Sequence, residues 1–297
     1  MSGLAVSDAV LRGEAAFQAA RRERRRATLF ALALLAACLY LAGWVSEVNP
    51  EVLIAGFPRV TEYFIRIMPD LRWATLFADS ETEGSLASWF YRWDAWALLL
   101  LETANMAALA TLGGAAIALV LSFFASRNLA RSQWSYQLAR RTLEALRTVP
   151  EIVYALIFVW AFGIGALAGI LAIMIHTIGA LGKLFSEVIE NADMRPWDGV
   201  RASGGTWGQA CRYAILPQVA PNLISYSLLR FEINVRGASV IGFVGAGGIG
   251  QEIYTVISFN YYEEISAIVL MVILTVTAID LLSERLRHRI TDAAGAR

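Results

Sequence analysis

From Ala27 to Val45 the chain runs 19 residues without a charge, and four more apolar stretches of similar or greater length follow it. About 20 apolar residues are what an α-helix needs to cross the hydrocarbon core of a bilayer. A backbone in lipid must satisfy its own hydrogen bonds, so only helices or closed barrels span it. Stretches of this length predict helices. The basic run Arg21-Arg22-Glu23-Arg24-Arg25-Arg26 precedes the first one. It resembles a signal-peptide flank, but the apolar run is too long, and Gly43-Trp44-Val45-Ser46 offers no cleavage pattern. The reading is a retained first span.

Composition agrees. Hydrophobic residues are 57% of the chain and charged residues 17%, against about 25% charged in soluble domains. Such a chain is not intrinsically disordered. With 25 Lys+Arg against 25 Asp+Glu, it lacks the basic excess of a nucleic-acid binder. The two cysteines, Cys38 and Cys211, stand in unlike settings and suggest no disulfide framework.

The expected organisation is an all-α, polytopic membrane protein with about six spans. Residues 1–26 form a cytoplasmic segment and 27–46 the first span. Residues 47–94 form an extracytoplasmic segment, 95–290 a core of five further spans, and 291–297 a tail. In the outer segment Phe57, Val60, Phe64, Ile67 and Leu71 recur at helical spacing, predicting an amphipathic helix on a surface. Trp89, Tyr91, Trp93 and Trp96 cluster as an aromatic belt does. Spans are expected over Ala95–Ala125, Val219–Ile241 and Ile265–Leu282. The 38 residues Ile152–Ile189 suit two short spans broken at Gly163, Gly165 and Gly169.

Arginine placement orients the chain. Five arginines lie in the 21–26 run, and five more (Arg127, Arg131, Arg140, Arg141, Arg147) follow the second span. Arg195, Arg201 and Arg212 lie in the connection after the fourth, and Arg285, Arg287, Arg289 and Arg297 follow the sixth. Segment 47–94 carries four arginines against eight acidic residues, and 242–262 carries no Lys or Arg. Both termini are expected in the cytoplasm.

The polar connection 190–217 holds the most specific pattern. It contains Asp198-Gly199-Val200-Arg201-Ala202-Ser203-Gly204 and, further on, Ala214-Ile215-Leu216-Pro217. By itself this is a helix, a glycine turn and a second helix that Pro217 would stop. The spacing resembles the cytoplasmic loop of ABC importer permeases: Glu-Ala-Ala, three residues, Gly, nine residues, Ile-x-Leu-Pro. Gly204, Leu216 and Pro217 match, and Asp198 keeps the carboxylate. Gly199 and Val200 replace the alanines, and Ala214 replaces the isoleucine. Further segments carry a closer resemblance: Arg147-Thr148-Val149-Pro150-Glu151, Ile175-His176-Thr177-Ile178-Gly179, Lys183-Leu184-Phe185-Ser186-Glu187, Arg230-Phe231-Glu232-Ile233-Asn234-Val235-Arg236 and Val244-Gly245-Ala246-Gly247-Gly248-Ile249-Gly250. Over residues 95–290 the chain resembles the permease subunit of phosphonate/phosphite ABC importers.

That resemblance implies a type I importer permease fold, a second copy of the chain, and two copies of a cytoplasmic ATPase that carry ATP and Mg. It implies an extracytoplasmic binding protein, and coupling to the ATPase through residues 198–204 with Leu216 and Pro217. A permease for methionine or a quaternary ammonium compound, and an ion-coupled transporter, are the alternatives. An ion-coupled transporter usually shows inverted repeats, and none is evident.

Charges within apolar stretches mark either structural pairing or a solute path. Arg230, Glu232 and Arg236 fall in or at the edge of the fifth span. Glu232 and Arg236 are placed to pair at i,i+4, and either arginine could offer a forked donor set to an oxyanion. Asn234 lies among them. His176 could donate to an anion or water, while a lone histidine makes a poor metal site, and no metal is expected. Lys183 and Glu187 are a structural i,i+4 pair. Glu102 and Asn105 are expected to make interhelical polar contacts.

Gly245, Gly247, Gly248 and Gly250 fit G-x-G-x-x-G, but dinucleotide binding needs a strand before it and a βαβ unit around it. Between two spans the expected role is an outer gate or a close chain approach. No G-x-x-x-x-G-K-[ST] occurs, so no cofactor is expected on this chain and ATP would be held by a partner. With two histidines and two cysteines, no hydrolytic set is evident, and the chain is expected not to be an enzyme.

Overall fold

A computed structural model describes residues 2–295, with side chains from 10 to 290. It forms two units, one up to Ile65 and one from Arg66 onward.

In the first unit α1 (Ser2–Val45) is a single helix of 44 residues. The expected boundary at residue 26 is therefore no break. No proline or glycine pair interrupts the passage from basic to apolar sequence, so the hydrogen-bond ladder continues. Its apolar side chains, among them Leu35, Leu39 and Tyr40, are exposed, as lipid contact requires. The amphipathic helix α2 (Pro50–Ile67) starts earlier than the spacing suggested. Proline is favoured in a first turn. Pro69 follows, and Leu71 lies beyond the helix.

The second unit contains α3 (Leu86–Trp89), α4 (Trp93–Ala125), α5 (Gln133–Thr148), α6 (Glu151–Phe162), α7 (Ala166–Glu190), α8 (Arg195–Ala202), α9 (Trp207–Ala210), a π-turn (Cys211–Ile215), α10 (Leu216–Ile241), α11 (Ile249–Ser258) and α12 (Tyr262–Gly295). Among the described residues four helices, α1, α4, α7 and α12, are long and apolar enough to cross a membrane by themselves. The number rises to six if each of two bent pairs, α5 with α6 and the helix from Trp207 to Val244 with α11, is one broken span. At 33 residues, α4 is about 50 Å long and exceeds the roughly 30 Å core. The expected tail at 291–297 is no separate element through Gly295, because α12 continues to that residue; the side chains of 291–297 lie outside those described.

The region expected to hold two short spans differs. Residue Val149 precedes a proline and is extended (φ −77°, ψ 124°), the conformation proline imposes on its predecessor. The chain then turns by 84° from α5 into α6. With 12 residues, α6 is about 18 Å long, too short to cross. Gly163 and Gly165 have positive φ and end it. Gly169 does not break the chain; it lies inside α7, where a Cβ would meet Met106 and the carbonyl of Ala246.

The core is built from small residues. Ala107, Ala110, Gly114 and Ala118 of α4 are buried, as are Ala168, Gly169, Ala172 and Gly182 of α7. Lipid tails are as apolar as the side chains they would surround, so close backbone approach and dispersion contacts replace the hydrophobic drive. A Cβ on Gly179 would lie 2.5 Å from the backbone nitrogen of Arg147, which shows how tightly the end of α5 sits on α7.

At the opposite end from the 190–217 connection, Trp89 Nε1 donates to Ser266 Oγ at 3.0 Å and Arg92 pairs with Glu252 at 3.1 Å. Tyr91 donates to Glu264 at 2.8 Å; burial and that carboxylate raise its phenol above the ordinary value. Of the expected aromatic belt, Trp96 is fully buried and Trp93 is exposed.

Candidate functional site

A polar cluster lies inside the helical bundle, at the middle of α4, α7 and α10. Asn234 is fully buried, and its Nδ2 donates to Thr111 Oγ1 at 2.8 Å and Thr177 Oγ1 at 2.9 Å. Its Oδ1 has no hydrogen-bond partner among the described residues. Thr177 also accepts from Arg230 Nε at 3.4 Å. Arg230 Nη2 lies 2.6 Å from His176 Nδ1. A guanidinium only donates, so Nδ1 accepts and His176 carries its proton on Nε2. The first turn of α6 adds Glu151, 3.9 Å from Arg230 and 3.7 Å from His176. One cation, one carboxylate and four neutral polar side chains thus meet in a surround of Ala107, Ala110, Ala172 and Ala238.

Three of the residues singled out from sequence, His176, Arg230 and Asn234, come together here. Two do not. Glu232 turns to α12 and pairs with Arg287 at 2.9 Å, instead of the expected i,i+4 partner. Arg236 is on the exposed face of α10 and its Nε reaches only the Glu232 carbonyl, at 3.4 Å. The reason is tertiary: α12 packs along α10 and brings a guanidinium to the buried side of Glu232. Asn105, expected to make an interhelical contact, is on the exposed face of α4. Lys183 and Glu187 pair at 2.8 Å. Glu151, Thr111 and Thr177 were not singled out. The signal for Glu151 was a carboxylate placed directly after a proline at the start of an otherwise apolar helix.

The 190–217 connection forms a compact structure against the ends of α4 and α7. Helix α8 starts with Pro196 in its first turn and Asp198 near its N-terminus, where the helix dipole favours a negative charge. It ends at Gly204, with φ +88°, and Gly205 N–H closes back on the Val200 carbonyl at 2.9 Å, a Schellman-type stop. Trp197 and Val200 are half-buried, while Asp198, Gly199, Arg201, Ala202, Ser203 and Gly204 are exposed. Trp207 anchors the second half. Its ring stacks on Phe124 with centroids 5.5 Å apart, Arg131 lies 4.9 Å over the ring, and Nε1 donates to the Leu129 carbonyl at 2.9 Å. Gln218 spans the other side, accepting from Asp193 N–H at 3.2 Å and donating to its carbonyl at 3.1 Å.

Pro217 does not stop the second helix. The chain runs from α9 through the π-turn into α10, with Leu216 N–H bonded to the Cys211 carbonyl and Pro217 in the first turn of α10. The re-registered ladder at a π-turn accommodates a residue that has no N–H to give. Burial beside the π-turn pushes the Cys211 thiol up to about 11. Below pH 9 its thiolate fraction is therefore about a hundredfold smaller than that of an ordinary cysteine. Maleimide labelling at pH 7.5 is expected to be slower in proportion, and to accelerate only as pH rises towards the shifted value. Labelling at the rate of a free thiol would contradict this.

The glycine segment is packed, not loose. Gly245, Gly247 and Gly248 have φ of +85°, +82° and +71°, a region open to glycine. Gly165 N–H donates to the Gly245 carbonyl at 3.0 Å, and Ile249 N–H to Thr103 Oγ1 at 2.9 Å. Gly250 lies inside α11, with its Cα against the backbone of Ser239 and Gly242. The segment joins one helix to another, so the strand that a dinucleotide motif needs does not precede it.

The chain is similar to known proteins. The chain is 40% identical over 250 residues to the phosphite transport system permease protein PtxC of Stutzerimonas stutzeri, covering 82% of this chain and 90% of that protein. It is 36% identical over 275 residues to HtxC of the same organism, covering 92% and 89%. The phosphate-import permease protein PhnE of Mycolicibacterium smegmatis is 31% identical over 252 residues, 85% of this chain and 44% of that one. Among solved structures, the inward-facing MetNI methionine ABC transporter superposes with a TM-score of 0.56 at 19% identity, over 66% of this chain and 95% of that one. A bacterial alginate ABC transporter gives 0.57 at 14%, over 84% and 97%. These two share the fold, a type I importer permease. The profile of binding-protein-dependent transport system inner membrane components matches residues 118–292, and with the relatives above it places the chain in that family of multi-pass permeases.

Proposed function

We propose that the chain is the permease subunit of an ATP-driven importer of phosphite, phosphonates or related phosphorus oxyanions. The observation that carries this is Arg230: a guanidinium held among α4, α7 and α10 by His176 and Thr177, in a chain whose relatives are named for phosphite and phosphate transport. A planar fork of donors suits a phosphorus oxyanion.

The unit that works is two copies of this chain, two copies of a cytoplasmic ATPase holding ATP and Mg, and an extracytoplasmic binding protein. This chain acts as a transport subunit and catalyses no reaction itself. The arginine distribution places both termini in the cytoplasm, with 190–217 facing the ATPase. The exposed side of α8, with Asp198, Arg201 and Gly204, docks there, and Leu216 and Pro217 join the docked piece to α10. Closure of the ATPase dimer on ATP draws the two connections together and opens the bundle outward. Gly245, Gly247, Gly248 and Gly250 form its outer gate. Hydrolysis returns it to the inward state.

Reconstitution tests the reading. Proteoliposomes holding this chain, its ATPase and its binding protein should accumulate [14C]methylphosphonate or [33P]phosphite only with internal ATP. Uptake that follows an ion gradient without ATP, or no uptake of any phosphorus oxyanion, would sink it.

A further inference from the structure

Glu151 has a geometry that a merely structural counter-ion does not need. Its Oε2 is 3.9 Å from Arg230 Nη2, close enough for an ion pair and too far for a hydrogen bond. The donors of the guanidinium instead go to His176 and Thr177, so the carboxylate holds Arg230 by charge alone. Its other oxygen rests against Gly237, where a Cβ would lie 2.5 Å from Oε1. A glycine at that position leaves the carboxylate its seat. The Glu151 side chain remains 26% exposed, against 11% for Arg230, so it is the more accessible of the two. Glu151 also begins α6 directly after the 84° bend.

The charges make the consequence definite. Arg230 with Glu151 is neutral, which a low-dielectric bundle favours. An oxyanion that arrives while Glu151 is in place meets no net attraction. If Glu151 swings aside, the oxyanion finds an unshielded guanidinium with donors to spare. We propose that Glu151 is a built-in competitor for the Arg230 site: it occupies the arginine when the path is empty, yields to the transported oxyanion, and returns to expel it. This rests on the reading of the chain as an oxyanion permease. It adds a means of release, because an arginine buried in a bundle would otherwise retain an anion.

The test is equilibrium binding of [14C]methylphosphonate to the permease–ATPase complex in nanodiscs without binding protein, together with ATP-driven uptake in proteoliposomes. An occupied site binds more weakly by the fraction of time it is free. Glu151→Gln is expected to bind methylphosphonate about tenfold more tightly than the wild type and to turn over more slowly. Glu151→Asp keeps the charge on a shorter side chain and should tighten binding less than Glu151→Gln. Gly237→Ala displaces the carboxylate without altering any charge, should shift affinity in the same direction, and keeps the proposal testable should Glu151→Gln not assemble. Structural damage does not tighten binding, so the direction separates the two roles. Wild-type uptake without tightening in either variant, including no detectable binding, would overturn the role of Glu151 alone. Absence of phosphorus oxyanion uptake by the wild type would overturn both that role and the substrate reading.

Discussion

Trp207→Ala is expected to cut ATP-driven uptake about 30-fold while ATP hydrolysis continues. The ring holds the second half of the 190–217 connection to the end of α4 by stacking on Phe124, by the overlying Arg131, and by the Nε1 bond to Leu129. Truncating a fully buried aromatic costs about 3–5 kcal/mol. Trp207 is half-buried, so about 2 kcal/mol is the appropriate figure, equivalent to about a 30-fold change in the docked population. The loop would still meet the ATPase, but its movement would no longer be conveyed to the spans. Trp207→Phe keeps the stacked ring and loses the N–H, and should cost about fivefold, since one hydrogen bond is worth about 1 kcal/mol. The ratio of transport to hydrolysis in proteoliposomes decides the matter. A wild-type ratio in Trp207→Ala would show that coupling does not pass through this anchor.

The second large effect is expected at Gly250. A methyl group there would press into the carbonyl of Ser239 and lie 3.0 Å from the Cα of Gly242. Both neighbours are backbone, so neither can rotate away. Overpacking of this kind costs about 1–3 kcal/mol, and contact with backbone on two sides puts Gly250→Ala at the upper end. Gly113→Ala is the control. Its methyl group would meet the terminal carbon of Met174 at 2.6 Å, the far end of a flexible side chain that can change rotamer. Thermal unfolding of the two variants in detergent should therefore differ clearly, with Gly250→Ala melting well below the wild type and Gly113→Ala near it. Equal melting temperatures would mean that the turn after α10 relaxes more easily than its packing indicates.

Much of the fold could be read from the sequence because lipid leaves the backbone few choices. The uncharged run to Val45, the stretch ending at Ala125 and the apolar part of α12 each announced a helix by length alone. Where the reading failed, the deciding force was local geometry or a partner distant in sequence. The extended Val149 before Pro150 puts an 84° bend between α5 and a short α6, where a straight short span was expected. Hydropathy sees the apolar residues of α6 but not the direction in which they travel. Pro217 looked like a terminator because its missing N–H was considered without the π-turn that accommodates it. For the polar cluster, charge and polarity within apolar stretches brought out Arg230, Asn234 and His176, but helical spacing went no further. It could not bring in Glu151 or Thr111, which reach the cluster only when α6 and α4 close around α7. Glu232 and Arg236 show the same limit. Spacing along one helix says which side chains could meet, and tertiary packing decides which do.

The pairing of Glu232 with Arg287 also bears on how the protein is made. The two residues are 55 positions apart in sequence. At synthesis rates of 5–20 residues per second, the carboxylate of α10 leaves the ribosome roughly 3–11 s before the guanidinium that answers it. During that interval Glu232 has only Arg236, one turn along the same span, to answer its charge, and lacks the α12 partner it pairs with in the folded chain. The retention of that span in the bilayer then depends on the insertion machinery or on the later arrival of α12, so a defect in the last helix would be felt first as a failure to keep an earlier one in place.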